Sequence, residues 1–247
     1  MSTQLLIYKS AVPINRTLHH DCFVDVGANY AFTSEVNSVP LMAIEFPLAA
    51  SEYAIVFGGN MTDLTPAAIL GVRSTENLFL REDGSWRAKY IPAFVRRYPF
   101  VFSHADSTFV LCVDEDFSGF NREGRGERLF NDDGSPTPYV DGIMKFLQDY
   151  QTHFLTTQRF CHRVRDLGLL EPMTAQVTLE SGPPLSLGGF MAVSREKLKA
   201  LPGETLAELA KTDELELIYT HLHSLRNFDL LRDRLAPRPP GEPPALH

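Results

Sequence analysis

The pattern of hydrophobic and polar positions predicts short strands in the first half of the chain. Phe109 to Val113 is the most strand-like run, because five apolar residues in succession are closed by the acidic cluster 114–116. Asp-Gly turns at Asp83-Gly84 and Asp133-Gly134 favour hairpins. Further strands are predicted at residues 53–57, 66–72, 78–80, 98–102, 176–179 and 187–193, the last two as a hairpin around 181–184.

A period of three to four residues predicts one long helix, Pro138 to Leu167, with several shorter ones. Ser135 or Thr137 can cap its start, and Gly168 can end it. Thirty residues make a rod of about 45 Å, so this helix either crosses the whole molecule or breaks near His153. Short helices are predicted near 40–47, at 90–97, 194–201 and 206–209, and a last amphipathic helix at 214–231.

These elements predict an α+β fold: a single domain in which antiparallel hairpins and sheet pack against one long and several short helices. We assign residues 1–235 to this domain and expect the proline-rich tail 236–247 to be disordered. The segments around Asp83-Gly84-Ser85 and Asp133-Gly134-Ser135 resemble each other, either as an internal duplication or as two ordinary hairpins.

Composition and charge exclude some classes of protein. In 247 residues with a net charge of -8, acidic side chains outnumber basic ones by 31 to 23, which argues against nucleic-acid binding. No run approaches the roughly 20 apolar residues of a membrane span, and the first residues lack the pattern of a signal peptide. Three widely spaced cysteines fit reduced thiols, so a cytoplasmic location is expected.

The acidic cluster Asp114-Glu115-Asp116 is the candidate metal site. If the strand continued, Asp114 and Asp116 would point to one side and could bind a divalent cation with His221 or His104. A charged strand end entering solvent explains the same residues. We found no nucleophile elbow, zinc motif or phosphate loop, so no catalytic residue and no cofactor is predicted.

Arginines and aromatics around residue 97 are the candidate binding site. The candidate binding residues are Tyr90, Arg96, Arg97 and Tyr98. The two arginines lie at the end of the helix predicted at 90–97, and a guanidinium beside an aromatic ring suits an anionic ligand. The alternative is structural, with the arginines ending a helix and the rings filling the core.

Several segments in order resemble the SapC-like family of bacterial proteins, over roughly residues 15–230. The segments are Asn37 to Leu41, Glu45-Phe46-Pro47, Tyr53 to Phe57, Leu70-Gly71, Glu76 to Phe79, Tyr90 to Ala93, Arg96 to Phe100, Val113 to Asp116, Leu129-Phe130, Asp133-Gly134, Pro136-Thr137, Leu169 to Pro172 and Tyr219 to Leu225. Ala54 departs from the proline of the family's Tyr-Pro-Ile-Val-Phe pattern. The resemblance implies a link to a bacterial surface layer, with relatives near genes for outer-membrane receptors, halogenases and cupin-like hydroxylases. It carries over no catalytic residue.

Three functions remain open from the sequence. The favoured hypothesis is a non-enzymatic binding or assembly protein, with a protein partner or a second copy, serving a surface-layer, receptor or modifying-enzyme system. The alternative is a metal-dependent enzyme that acts on a peptide or an amino-acid side chain through Asp114, Asp116 and His221. A third possibility is a structural surface-layer subunit.

Overall fold

A computed structural model describes residues 5–105, 108–177 and 185–235, and side chains at 104, 105 and 108 are outside this description. With 37% helix and 24% strand, the chain is an α+β protein, as predicted. The strands are β1 (Ala11–Pro13), β2 (Phe23–Val24), β3 (Ser38–Pro40), β4 (Ile55–Gly58), β5 (Thr65–Ile69), β6 (Phe100–Ala105), β7 (Thr108–Asp114), β8 (Phe120–Asn121), β9 (Glu127–Arg128), β10 (Leu170–Val177) and β11 (Leu185–Val193). The α-helices are α1 (Phe46–Ala49), α2 (Ala93–Arg96), α3 (Pro138–Asp166), α4 (Arg195–Lys199), α5 (Gly203–Lys211), α6 (Glu214–Ser224) and α7 (Phe228–Leu235).

The strands form three antiparallel sheets. The largest has the order β10-β11-β4-β5-β3, a second has the order β1-β7-β6, and the two-residue strands β8-β2-β9 form a third. The β6–β7 ladder begins where Phe100 pairs with Val113 and ends where Ala105 pairs with Thr108. Leu111, Cys112 and Val113 at the end of the apolar run are buried, and Leu111 and Val113 pack into the main core, whereas Phe109 is exposed.

The long helix α3 is one unbroken element, so of the two predicted alternatives the break near His153 is excluded. The Thr137 side chain caps its start by accepting from the amide of Val140 at 3.4 Å, and Gly168, at φ 66°, follows its end. Both caps agree with the sequence analysis. Among the helices that the structure describes, none has the length and apolar content to cross a membrane.

Phe57 marks the centre of the core, between the largest sheet and two helices. Its ring lies 6.2 Å from that of Phe160 on α3 and 5.0 Å from the imidazole of His221 on α6. All three side chains are buried. The core therefore depends on packing one face of the sheet against helices that follow it by about 100 residues or more.

Some predicted elements differ in the structure. Residues 78–80 form one isolated bridge, Leu80 to Trp86, rather than a strand, and the helix predicted at 90–97 is only α2. Pro92 stands at the N-cap of α2, so the helix begins three residues later than predicted and has a single turn. The helix predicted at 214–231 is divided by a 3-10 turn at Leu225–Asn227. Residues 117–128, whose glycine and charge content predicts an exposed loop, contain β8 and β9. The predicted turn 181–184 and tail 236–247 lie outside the described residues.

The two Asp-Gly-Ser turns have the same local structure. In each, the serine amide donates to the aspartate side chain at 2.9 Å, and the glycine has φ 78°. One isolated bridge closes each hairpin, Leu80 to Trp86 and Phe130 to Pro136. The first turn leads toward α2 and the second directly into α3. These two helices form opposite sides of the groove described next.

Candidate functional site

A groove of about 440 Å³ lies between α2 and the first turns of α3. Its other walls come from three places: the segment between β2 and β3, the start of β6, and Phe117. Its lining residues are Val26, Gly27, Tyr30, Phe32, Val95, Arg96, Arg97, Tyr98, Phe100, Phe117, Pro138, Tyr139, Gly142, Ile143 and Phe146. Aromatic rings supply seven of these fifteen, so the groove suits a flat or apolar ligand.

The α3 side of the groove follows from helical spacing. Tyr139, Gly142, Ile143 and Phe146 are separated by three or four residues and therefore share one face. Gly142 opens this wall, since a Cβ atom added there would meet no other atom within 4 Å. A larger residue at position 142 would thus extend into open space without displacing the protein.

Stacked aromatic rings form the floor. Phe32 stacks on Tyr98 with ring centres 4.2 Å apart, and Phe117 meets Tyr98 edge-on at 5.3 Å. The Tyr98 hydroxyl donates to the Asp114 carboxylate at 3.2 Å. Burial, followed by the negative charge of Asp114, raises the pKa of Tyr98 far above its usual range. Tyr98 therefore stays protonated and holds a fixed ring orientation.

The two arginines predicted for binding have different surroundings. Arg96 is exposed at the groove rim, where its Nε donates to the Ile91 carbonyl at 2.9 Å and its guanidinium carbon lies 5.4 Å from the Phe146 ring centre. Arg97 is buried, with its guanidinium carbon 4.3 Å from the ring centre of Phe94 and 4.9 Å from that of Tyr150. Arg96 can meet a ligand from solvent, whereas Arg97 contributes positive charge from inside the wall.

The charged residues that line the groove are basic, although the chain as a whole is acidic. Within the described ranges, its lining includes two arginines and no Asp, Glu or Lys, although the chain has a net charge of -8. Partial burial lowers the effective dielectric, so charges at such a site act over a longer range than on an open surface. The arrangement favours an anion with an aromatic or apolar body.

Tyr90 lies beside Arg96 but does not line the groove. Its hydroxyl donates to the Glu45 carboxylate at 2.6 Å, and that carboxylate also accepts from the amides of Ala93 and Met42, both at 2.7 Å. Glu45 is buried and joins the segment before α1 to α2. Burial and the Glu45 charge raise the pKa of Tyr90, which keeps it a donor. The Arg96 guanidinium carbon lies 5.9 Å from its ring centre, so Tyr90 helps to position Arg96.

Tyr90→Phe is expected to lower the free energy of unfolding by about 2 kcal/mol, because it removes one hydrogen bond to a buried carboxylate. Urea unfolding followed by circular dichroism measures this loss. Tyr219→Phe is the control, since Tyr219 is an exposed tyrosine that also lies under an arginine, Arg195. Equal stability of the two variants would contradict the role of the Tyr90 hydroxyl.

The residues predicted to bind a metal, Asp114, Asp116 and His221, each have different surroundings in the structure. Asp114 is buried and accepts from the backbone amides of Lys9 and Ser10 at 2.8 and 2.9 Å, while Asp116 is exposed. His221 is buried in the main core, and both of its ring nitrogens bind backbone groups. In the ranges that the structure covers, no group of three His, Cys, Asp or Glu side chains could hold a metal ion. The side chain of His104 lies outside the description.

Another surface depression, of about 480 Å³, lies along the later part of α3. Its lining residues are Thr152, Leu155, Thr156, Gln158, Arg159 and His162, which all belong to this helix. A hollow whose lining residues all come from one helix is an open helix face rather than an enclosing site. The groove beside α2 is therefore the stronger candidate.

Of the residues that line the groove, the sequence analysis named Arg96, Arg97 and Tyr98 and none of the others. The spacing of Tyr139, Ile143 and Phe146 was visible in the sequence, yet it equally suits a helix face buried in the core. Phe32 gave no signal, because it lies in a single 3-10 turn, Ala31–Thr33, that only tertiary packing brings against Tyr98.

The family model SapC matches residues 14–231, which include every lining residue of the groove and every described strand except β1. The chain therefore belongs to the SapC family, as its sequence resemblance implied. Neither the curated proteins nor the solved structures gave a match.

Proposed function

We propose that this chain is a non-enzymatic binding protein that holds an anionic ligand with an aromatic or apolar body in the groove. One observation carries the proposal: a groove walled by aromatic rings whose charged lining residues, in the described part of the chain, are Arg96 and Arg97. An apolar site with a few convergent polar groups is the common form of a ligand site. A guanidinium supplies both charge and directed N–H donors for a carboxylate.

The biological setting is part of the same proposal. Family membership supports a role in assembly with a partner protein, in a surface-layer, outer-membrane receptor or modifying-enzyme system. A reducing compartment such as the cytoplasm fits the three cysteines, which are buried and unpaired with one another. The ligand would then be a segment or side chain of the partner, or a small molecule passed to it.

The test uses 8-anilinonaphthalene-1-sulfonate, an aromatic anion whose fluorescence rises in an apolar site. N-acetylphenylalanine and its uncharged amide serve as competitors of equal shape. We expect the carboxylate to displace the dye at least tenfold better than the amide, because only the carboxylate can form a charge-assisted hydrogen bond with Arg96. Equal competition by the two compounds would contradict the proposed ligand class.

Arg96→Gln is expected to weaken dye binding about tenfold, which corresponds to the loss of one charge-assisted hydrogen bond. Its melting temperature should stay close to that of the wild type, because Arg96 is exposed. Arg195→Gln is the matched control, since Arg195 is an exposed arginine near a tyrosine ring, at 6.0 Å.

A second variant tests the groove without changing its charge. Gly142→Leu should fold, because a side chain at position 142 meets open space and leucine favours a helix over glycine. The leucine fills the groove, so dye binding should be lost. If Gly142→Leu and Arg96→Gln both bind the dye as the wild type does, the proposed function is wrong.

A further inference from the structure

Arg81 joins the two arms of the first Asp-Gly-Ser hairpin, residues 80–86. Its Nη1 donates to the Ser85 hydroxyl at 3.3 Å and to the Trp86 carbonyl at 2.6 Å. A guanidinium has five N–H donors on three nitrogens, and Arg81 bonds to the described residues through Nη1 alone. Because Arg81 is exposed, its Nε and Nη2 donors are within reach of a ligand from solvent.

The second Asp-Gly-Ser hairpin, residues 130–136, forms the same two contacts with an uncharged side chain. The amide of Asn131 donates to the Ser135 hydroxyl and to the Pro136 carbonyl, both at 3.0 Å. These three residues stand at the same positions of the turn as Arg81 and its two acceptors. Closing such a hairpin therefore requires one donor group and no positive charge, so turn formation does not explain the charge of Arg81.

A second guanidinium, that of Arg234 on α7, lies against the first hairpin. Its carbon atom is 3.7 Å from the Phe79 ring centre, and its Nη1 donates to the Leu78 carbonyl at 3.4 Å. Phe79 stacks on Trp86 with ring centres 6.2 Å apart, and the Trp86 carbonyl is the group that holds Arg81. Both guanidiniums are thus held beside one pair of stacked rings, each through its Nη1.

The guanidinium of Arg234 also interacts with the charges of two other arginines. Burial and the positive charges of Arg87 and Arg81 lower the pKa of Arg234 to about 10, so it stays protonated at neutral pH. Two carboxylates act on these arginines, but Glu52 and Asp83 each accept from backbone amides, at 2.9 to 3.0 Å. Within the described ranges, neither Arg81 nor Arg234 forms an ion pair with a carboxylate. An anion from solvent can therefore supply the acceptor oxygens.

We propose that Arg81 and Arg234 together bind a phosphate group, either free or as an ester. Nε and Nη2 lie along one edge of a guanidinium and form a parallel pair of donors, which matches two oxygens of a phosphate. In both arginines Nη1 bonds to a main-chain carbonyl, and this edge bonds to no described residue. Two such edges suit a phosphate better than a carboxylate, because a carboxylate has only two oxygens. Neither arginine lines the groove, so the site is separate from the proposed function.

Equilibrium dialysis of the full chain against radiolabelled inorganic phosphate at low ionic strength measures this binding directly. We expect saturable binding of one phosphate per chain. Arg81→Asn should weaken it about tenfold, which corresponds to the loss of one charge-assisted interaction. The melting temperature of this variant should stay close to that of the wild type, because asparagine forms the same contacts in the second hairpin.

Arg234→Gln tests the second guanidinium and should weaken phosphate binding about as much as Arg81→Asn. Arg232→Gln is the matched control on the same helix, since Arg232 is exposed and pairs with Asp233 at 3.1 Å. Its loss should change the phosphate affinity by less than about twofold, because exposed charges are screened by solvent.

Competition by glycerol 1-phosphate identifies the source of the phosphate group. A higher affinity than that of inorganic phosphate assigns the site to phosphate esters, and an equal or lower affinity assigns it to free phosphate. The inference is overturned if phosphate binding does not saturate by about 10 mM, or if Arg81→Asn and Arg234→Gln both bind phosphate as the wild type does. Arg96→Gln should bind phosphate normally, so the failure of this inference and the failure of the proposed function are distinguishable.

Discussion

The wild-type protein is expected to lose about 2 kcal/mol of stability between pH 7 and pH 5, and about 3 kcal/mol by pH 4, through His221 alone. Burial lowers the pKa of His221 from its ordinary value of 6.5 to about 4. The unfolded chain therefore binds a proton at pH 4–6.5 that the folded chain does not. Stability is fully present above pH 6.5 and falls as the pH is lowered through this window.

The partners of His221 explain why it must stay neutral. The amide of Val193 on β11 donates to Nε2 at 3.0 Å, so Nε2 carries no hydrogen, and Nδ1 donates to the carbonyl of Ile55 on β4 at 2.9 Å. β11 and β4 pair at one residue position, Met191 opposite Phe57. The imidazole thus joins two strands at a place where their own ladder is short. Protonation would place a donor against the Val193 amide.

His221→Gln is expected to remove this acid-sensitive component, because an amide can donate and accept without titrating. Urea unfolding at pH 7, 6 and 5 gives the slope of stability against pH for each protein. His223→Gln is the control, since His223 is exposed on the same helix. If wild type and His221→Gln lose stability in parallel between pH 7 and pH 5, the neutral buried role of His221 is refuted.

Asp114→Ala is expected to lower the free energy of unfolding by about 3–5 kcal/mol. Two backbone amides in the N-terminal segment, the Tyr98 hydroxyl and the amide of Asp116 all donate to this buried carboxylate. Each buried donor left without an acceptor costs about 1–3 kcal/mol. The summed cost is smaller than four such losses, because water can reach the donors that are only partly buried. The same variant should weaken dye binding, because Tyr98 forms part of the groove floor.

Chemical unfolding and the dye titration measure both effects of Asp114→Ala. Asp116→Asn, two residues further on and exposed, is the control and should change stability by less than about 0.5 kcal/mol. Similar stability of the two variants would show that the Asp114 carboxylate does not anchor the N-terminal segment. Added divalent metal should not restore Asp114→Ala, since the anchoring groups are hydrogen-bond donors.

The surroundings of Asp114 and His221 could not be derived from the sequence. Both are titratable residues of types that bind metals, and the sequence suggested that they could share a metal ion. The structure instead surrounds each with backbone groups from distant segments, 104 residues away for Ser10 and Asp114 and 166 residues away for Ile55 and His221. Such pairings leave no local pattern, because the donor or acceptor is a main-chain group that any residue could supply.

Three of the four residues predicted for binding lie together in the structure, and the fourth does not line the groove. Arg96, Arg97 and Tyr98 line the groove, and their grouping in sequence was visible at once. Tyr90 is held by Glu45, a contact over 45 residues that nothing in the local sequence indicated. Whether these residues bind a ligand stays a prediction that the dye titrations test.

By itself the sequence determined the elements whose forces are local. The α3 helix, with its Thr137 cap and Gly168 stop, the Asp-Gly-Ser turns and the strand that ends at Asp114 all follow from periodicity, capping and turn preferences. Tertiary structure alone decided which strands became neighbours and which polar side chains were buried. It also decided that α2 and α3, each of which follows a hairpin, form opposite sides of one groove. Those outcomes depend on burying apolar surface and satisfying backbone groups among distant segments, a balance summed over the whole chain rather than read from any part of it.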